Sequence, residues 1–164
     1  MNDLTTLPMN TKEVKTDTIS EFEKNIARCT LKISYIPCND EPDPLLCPYI
    51  PNISNIEYIQ KDISPTPIDR IHALLKKYDQ TIFACILIPG RAFDTTGTRH
   101  GRGGGWYDRF LSQVPKHWIR IGITPEHRFH TEKLFRKSHD EPMDFIIVSG
   151  NKNWDIYKTD ARSL

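Results

Sequence analysis

The chain has no apolar run long enough to cross a membrane. The longest is Ile82-Phe83-Ala84-Cys85-Ile86-Leu87-Ile88, far short of the roughly 20 residues a spanning helix needs. An excess of either charge is also missing. Lys and Arg number 22 against 21 Asp and Glu, a formal charge of +1, which argues against broad binding to nucleic acid or to an acidic membrane surface. The four cysteines, Cys29, Cys38, Cys47 and Cys85, form no CxxC pair, so neither a zinc site nor a redox motif is signalled. The start of the chain carries Asp3, Asn10, Lys12, Glu13 and Lys15 without an apolar core segment, so no secretory leader is expected. Reduced thiols in a cytoplasmic protein follow from that reading. Internal repeats and low-complexity tracts are absent. What remains is the mixture of an ordinary globular protein, with 26% charged and 38% hydrophobic residues in 164. A chain of this length forms one domain and buries about two-thirds of its unfolded surface.

Residues 1–16 are polar and lack apolar periodicity, and read as a flexible N-terminal arm. Asp17 or Thr18 is placed to cap a short helix through Glu21, Phe22, Ile26 and Ala27. Leu31 to Ile36 alternates as a strand and stops at Pro37. Between Cys38 and Pro67, rich in Pro, Asn and Asp, a weak strand is expected at Leu45-Leu46-Cys47 and a better one at Ile56 to Ile59. Ile68 to Tyr78 reads as a helix with Ile71, Leu74 and Leu75 inward. Ile82 to Ile88 has the continuous branched pattern of a strand covered on both faces. Trp106 to Val114 reads as a helix, and Ile119 to Ile123 and Phe145 to Val148 as strands. Strand, glycine-rich loop, helix, strand is a βαβ unit, so a three-layer α/β domain with a mostly parallel sheet flanked by helices is predicted over 17–150. Residues 151–164 read as a peripheral tail.

The polar stretch from Asp94 to Gly105 holds five of the eight glycines. Its core, Gly97-Thr98-Arg99-His100-Gly101-Arg102-Gly103-Gly104-Gly105, leads into Trp106-Tyr107-Asp108. Consecutive glycines let the backbone approach a ligand and aim several N–H groups at it. The helix start that follows adds free donors and the positive end of a dipole. This is an anion site by construction, and phosphate is the usual occupant. Arg99 and Arg102 would add charge-assisted contacts to phosphate oxygens. Asp108, in the first helical turn, is either a dipole partner or a magnesium ligand beside a bound triphosphate. The loop has no GKS or GKT and lacks dinucleotide spacing. Its bland alternative is a mobile surface loop with two solvated arginines.

The run Ile88-Pro89-Gly90-Arg91-Ala92-Phe93-Asp94 and the following GTRHGRGGGWYDRFL together resemble the signature of the 5-formyltetrahydrofolate cyclo-ligase family, with Trp106 where a Tyr is usual. Ser138-His139-Asp140-Glu141-Pro142-Met143-Asp144 resembles that family's second motif. Tyr35 to Asp43 is similar to its first strand and acidic stretch, with Pro44 where Thr is usual. The helix between the first two strands and the basic N-terminal helix have no counterpart here, so the chain resembles a shortened or divergent member. The resemblance implies a Rossmann-like fold and a reaction that uses ATP and Mg2+ to convert 5-formyltetrahydrofolate to 5,10-methenyltetrahydrofolate. It also implies roles. Arg99, His100, Gly101, Arg102, Gly103, Gly104 and Gly105 would hold the nucleotide, with Arg99 and Arg102 assisting phosphoryl transfer. Asp108 and Asp140 would hold the metal. Ile36 and Glu41 would contact the folate, and Trp106 and Tyr107 would line the pocket for both substrates. An indole keeps the stacking surface of a tyrosine but not its hydroxyl. The expected partners are small molecules, with no nucleic acid and no membrane, acting on a monomer.

A second class of function is a catalytically silent nucleotide- or folate-binding relative of the same fold. Lys12 or Lys15 reaching into the cleft would favour the enzyme. RNA binding through the arginine-glycine loop is disfavoured by the neutral net charge. His139 beside Asp140 reads as a loop turn, and His117, His127 and His130 as a solvated basic face. Arg128 is a candidate to approach a phosphate from the far side of the cleft. Cys85 reads as a small buried hydrophobe, and Trp118 and Trp154 as packing residues.

Overall fold

A computed structural model describes residues 11–38, 40–59 and 67–162. In chain order the regular elements are α1 (Thr11–Ala27), β1 (Leu31–Tyr35), β2 (Asn55–Ile59), α2 (Pro67–Lys77), β3 (Ala84–Ile88), β4 (Ala92–Asp94), β5 (Arg99–His100), α3 (Trp106–Leu111), β6 (Ile119–Pro125), β7 (Phe129–His130), β8 (Phe145–Ser149) and β9 (Trp154–Lys158). The main sheet has the order β2-β1-β3-β6-β8-β9. It is parallel throughout except for β9, which runs antiparallel to β8. No helix among the described residues is long and apolar enough to cross a membrane.

The three expected layers are present. All five residues of β3 are buried, which is why that segment reads as an unbroken apolar run. Alternate residues serve opposite faces, as strand geometry requires. Ala84, Ile86 and Ile88 join Ile71 and Leu74 of α2 and Tyr107, Phe110 and Leu111 of α3 in one core layer. Cys85 and Leu87 join Phe22 and Ile26 of α1 in the other. Phe22 meets Phe145 of β8 edge-on, with ring centroids 5.1 Å apart. Cys85 and Trp118 are fully buried as expected, and Trp118 Nε1 donates to the Ile82 carbonyl at 3.1 Å.

Several expectations are corrected. The first helix begins at Thr11 rather than at Asp17 or Thr18, so residues 11–16 are helical and only 1–10 of the expected arm lie outside the described residues. Its early turns carry no apolar stripe. They lie along β9, where Lys15 Nζ pairs with Asp155 at 3.1 Å and Lys158 Nζ with Glu21 at 2.6 Å. The stretch after Gly150, expected as a peripheral tail, supplies β9, the edge strand of the main sheet. Leu45-Leu46-Cys47 is not a strand. Pro44–Leu46 forms a 3-10 turn, started by a proline and by the Asp43 carboxylate accepting the Leu45 N–H at 2.9 Å, a local bond that competes with strand pairing. That turn is the one helical element among the described residues between β1 and β2, which pair directly from Leu31↔Asn55 to Tyr35↔Ile59. The helix expected over Trp106 to Val114 ends at Leu111.

The polar stretch after Pro89-Gly90 contains structure that the sequence does not announce. Here β4 pairs antiparallel with β5 and parallel with β7, forming a small second sheet. Phe93 of β4 is fully buried, and its ring lies over Gly122 of β6. A Cβ at 122 would stand 2.3 Å from Phe93 Cε1, so a glycine there lets the small sheet dock on the large one.

Candidate functional site

Asp94, at the end of β4, organises the loop. It is fully buried. One carboxylate oxygen accepts from Thr96 N at 2.9 Å, Thr96 Oγ1 at 2.8 Å and Thr98 N at 2.9 Å. The other accepts from Leu134 N at 2.6 Å. Burial alone pushes the Asp94 pKa up, but the bonds from Leu134, Thr96 and Thr98 outweigh it and hold the carboxyl below its usual value. Asp94 was passed over as a site residue, although an Asp followed by Thr95-Thr96-Gly97-Thr98 is a side-chain-to-backbone turn signal.

Arg99 lies beneath the glycine loop. Its Nε donates to the Pro89 carbonyl at 2.9 Å, and its guanidinium sits 4.8 Å from the Tyr107 ring centroid. A Cβ at Gly101 would come 2.9 Å from a terminal nitrogen of Arg99, so Gly101 lets the loop close over that side chain. Burial lowers the Arg99 pKa, and Asp108, Tyr107, Asp140 and Glu41, all facing it, act in the opposite direction. Gly103 and Gly105 hold φ of 95° and 60°, backbone that favours glycine. A Cβ at Gly103 or Gly104 would meet nothing within 4 Å, so the space above the loop is open. The α3 helix that follows has only six residues. A helix this short has little dipole to offer, so any anion here would rely on the loop N–H groups.

Trp106 stacks on Phe110, with centroids 5.6 Å apart and planes at 12°, and meets Tyr107 edge-on at 4.9 Å. Burial raises the pKa of the Tyr107 phenol, so the group is a neutral hydroxyl. Asp108 accepts the Glu141 N–H at 2.9 Å. Asp140 accepts the Lys137 N–H at 2.8 Å and returns its own N–H to the Lys137 carbonyl at 3.1 Å.

These residues share one cavity of about 340 Å³, lined by every residue from Arg99 to Asp108 together with Phe135, Lys137, His139 and Asp140. Asp108 and Asp140, 32 positions apart in sequence, thus reach the same space. Ile36 and Glu41 do not line it. Ile36 is 46% exposed just beyond β1. Glu41 accepts the Cys38 N–H at 2.9 Å and stands 4.0 Å from Arg102. Asp40 pairs with Arg102 at 3.5 Å and also with Arg128, whose other terminal nitrogen is 3.5 Å from the Gly90 carbonyl. Arg128 therefore binds the acidic loop rather than projecting alone into the cleft. Lys15 is engaged by Asp155 on β9. Phe135 and Lys137 were not singled out from the sequence, and neither stands in a periodic pattern.

The cavity lies in the loops beyond the carboxyl end of β3, where open α/β sheets place their ligands. The chain is thus a three-layer α/β protein with a glycine-rich, carboxylate-flanked site at the carboxyl end of its sheet. It belongs to the 5-formyltetrahydrofolate cyclo-ligase family, whose model matches residues 48–149. It is 30% identical over 99 residues to the 5-formyltetrahydrofolate cyclo-ligase of Mycoplasma genitalium, covering 60% of this chain and 50% of that protein. It is 32% identical over 87 residues to the enzyme of that name from Mycoplasma pneumoniae, covering 53% and 52%. The chain therefore matches about half the length of these curated relatives. The fold is similar to the NMR structure of 5,10-methenyltetrahydrofolate synthetase from Aquifex aeolicus, with a TM-score of 0.51, 22% identity, and coverage of 93% of this chain and 87% of that one.

Proposed function

We propose that this chain converts 5-formyltetrahydrofolate to 5,10-methenyltetrahydrofolate at the expense of ATP. The observation that carries the reading is the meeting of the Arg99–Gly105 loop, Asp108 and Asp140 around one cavity. In this reading the formyl oxygen attacks the γ-phosphorus and ADP leaves. Nitrogen N10 then attacks the activated formyl carbon, N10 loses its proton to water, and phosphate departs as the ring closes. Such chemistry asks the protein for alignment and for neutralised phosphate charge. Loop N–H groups, Arg99 and Arg102 would hold the phosphates, with His100 at the rim. Trp106 and Tyr107 would supply the aromatic wall. Glu41 and Ile36 would meet the folate from the β1 side.

The donor set fits magnesium. Asp108 and Asp140 offer hard carboxylate oxygens, each carboxylate using one oxygen on a backbone N–H. Among the described residues no group of three or more His, Cys, Asp or Glu is assembled to hold a metal alone, as suits an ion that takes most ligands from phosphate and water. Asp108 and Asp140 would hold it, and it would neutralise phosphate charge.

The test is absorbance of methenyltetrahydrofolate formed from 5-formyltetrahydrofolate, ATP and magnesium, with Asp108→Asn alongside. Expected are ATP-dependent product and a loss of at least about tenfold in the variant. One observation favours the second reading, a catalytically silent binder: Lys15 is bound to Asp155 and not to the cleft, while the Lys12 side chain lies outside the described residues. Folded protein that binds Mg·ATP yet forms no product would establish it.

A further inference from the structure

We propose that Lys137 is the cation of this site that receives the terminal phosphates of the nucleotide. The inference rests on the ATP reading above and adds a residue to it. Three side chains that line the cavity are permanent cations: Arg99, Arg102 and Lys137. Two are already held in place by the protein. Arg99 spends its Nε on the Pro89 carbonyl and its plane on Tyr107. Arg102 faces Asp40 at 3.5 Å and Glu41 at 4.0 Å, so a phosphate must compete with two carboxylates for it. The Lys137 side chain is exposed and has no ion-pair or hydrogen-bond partner among the described residues. Around the cavity these three cations are opposed by Asp108 and Asp140 on its wall and by Asp40 and Glu41 behind Arg102. Of the three, Lys137 alone is both exposed and without a partner among the described residues, and so is free to move onto an entering polyphosphate.

The backbone that carries Lys137 is fixed although it forms no helix or strand. Leu134 N donates to Asp94 at 2.6 Å, and His100 Nε2 meets the Phe135 carbonyl at 2.6 Å. Arg136 reaches the Thr96 carbonyl at 3.4 Å, and Lys137 N donates to Asp140 at 2.8 Å. Four successive residues are thus tethered, three to the loop that Asp94 organises and the fourth to Asp140. Binding then costs the ordering of one side chain rather than of a segment. The turn closed by Lys137 and Asp140 presents an ammonium and a carboxylate together. These are the two groups that a magnesium–triphosphate requires, one for its oxygens and one for its metal.

The experiment is calorimetric binding of Mg·ATP and, separately, of AMP to the full chain and to Lys137→Gln, Lys137→Arg and Lys133→Gln. Lys133 is an exposed neighbour on the same strap that does not line the cavity. Lys137→Gln is expected to weaken Mg·ATP by about 10- to 100-fold, the size of one charge-assisted bond, and AMP by less than about threefold. Lys137→Arg should restore most of the ATP affinity, and Lys133→Gln should bind as the parent does. Unchanged ATP affinity in Lys137→Gln overturns the proposal. So does equal loss in Lys133→Gln, which would mean a generally basic surface. Parent protein that binds no Mg·ATP overturns both this proposal and the function above. Parent protein that binds Mg·ATP, loses it on Lys137→Gln and yet makes no methenyl product supports Lys137 and overturns only the cyclisation.

Discussion

Replacing Asp94 by Asn tests whether one buried carboxylate holds the site together. The carboxylate accepts four hydrogen bonds, three on one oxygen and one on the other. An amide has a single acceptor atom. In one orientation it keeps Thr96 and Thr98 and turns its NH2 toward the Leu134 N–H, two donors face to face. Flipped, it keeps Leu134 and abandons three bonds. The first arrangement is the cheaper one. It leaves a buried donor unsatisfied, at about 1–3 kcal/mol, and weakens three bonds by removing the charge. A total loss of about 3 kcal/mol follows, which for a domain of this length lowers the melting temperature by roughly 6–12 °C. The readout is thermal and urea unfolding of parent and variant at several pH values. The sign of the pH effect is set by the depressed Asp94 pKa. A carboxyl lower in the folded than in the unfolded state contributes stability above the unfolded value of about 3.8 and loses it as pH falls through the folded value. The gap between parent and variant should therefore be widest near neutral pH and shrink below about pH 4. A variant within about 0.5 kcal/mol of the parent at pH 7, or a gap that widens on acidification, would refute the role given to Asp94.

Two further substitutions probe how the site is mounted. Gly122→Ala puts a Cβ 2.3 Å from Phe93 Cε1 and 2.7 Å from Cδ1, with Phe93 itself fully buried. Overpacking of about 1–3 kcal/mol is expected in denaturant melts, with Mg·ATP affinity falling as the small sheet is displaced. Arg162→Ala removes the partner 2.9 Å from Asp144, whose side chain is 1% exposed. Leaving that buried charge with only the Arg120 backbone N–H bonded to it should cost about 3–5 kcal/mol by urea unfolding. Burial raises the Asp144 pKa, against the pull of the Arg120 N–H, Arg162 and Arg120. Protonation can then relieve the loss, so the deficit should be smaller at pH 5 than at pH 8.

What was legible in the sequence depended on how much of each element is decided locally. The β3 strand is buried on both faces, so every residue had to be apolar and the run was unmistakable. The helices α2 and α3 showed because each buries one stripe. The small sheet did not show: β5 and β7 are two residues long, too short for a period of two to register. The early turns of α1 and the β9 strand were missed together, and for one reason. Each looks polar and unstructured alone: β9 is fixed by its ladder to β8, and the early turns of α1 lie along β9, with Lys15 paired to Asp155. Pairing between segments so far apart in the chain is invisible to any pattern that reads one segment at a time.

The site divides along the same line. Its loop was legible because close backbone approach demands glycines, and Asp108 because it opens the helix that follows; Asp140 was legible only through the resemblance of Ser138 to Asp144 to the family's second motif. The cation requirement leaves no such trace, since any lysine or arginine within reach meets it. The N-terminal segment offers Lys12 and Lys15 for that cation; Lys15 is paired with Asp155 of β9, and the Lys12 side chain lies outside the described residues. Lys137 stands on a strap with no regular structure, and nothing in FRKSHD distinguishes it from Arg136. Their partners distinguish them: Arg136 is directed to the Thr96 carbonyl, while Lys137 lines the cavity with no side-chain partner among the described residues. A divergent member of a family can keep the demand of its chemistry and move the residue that meets it.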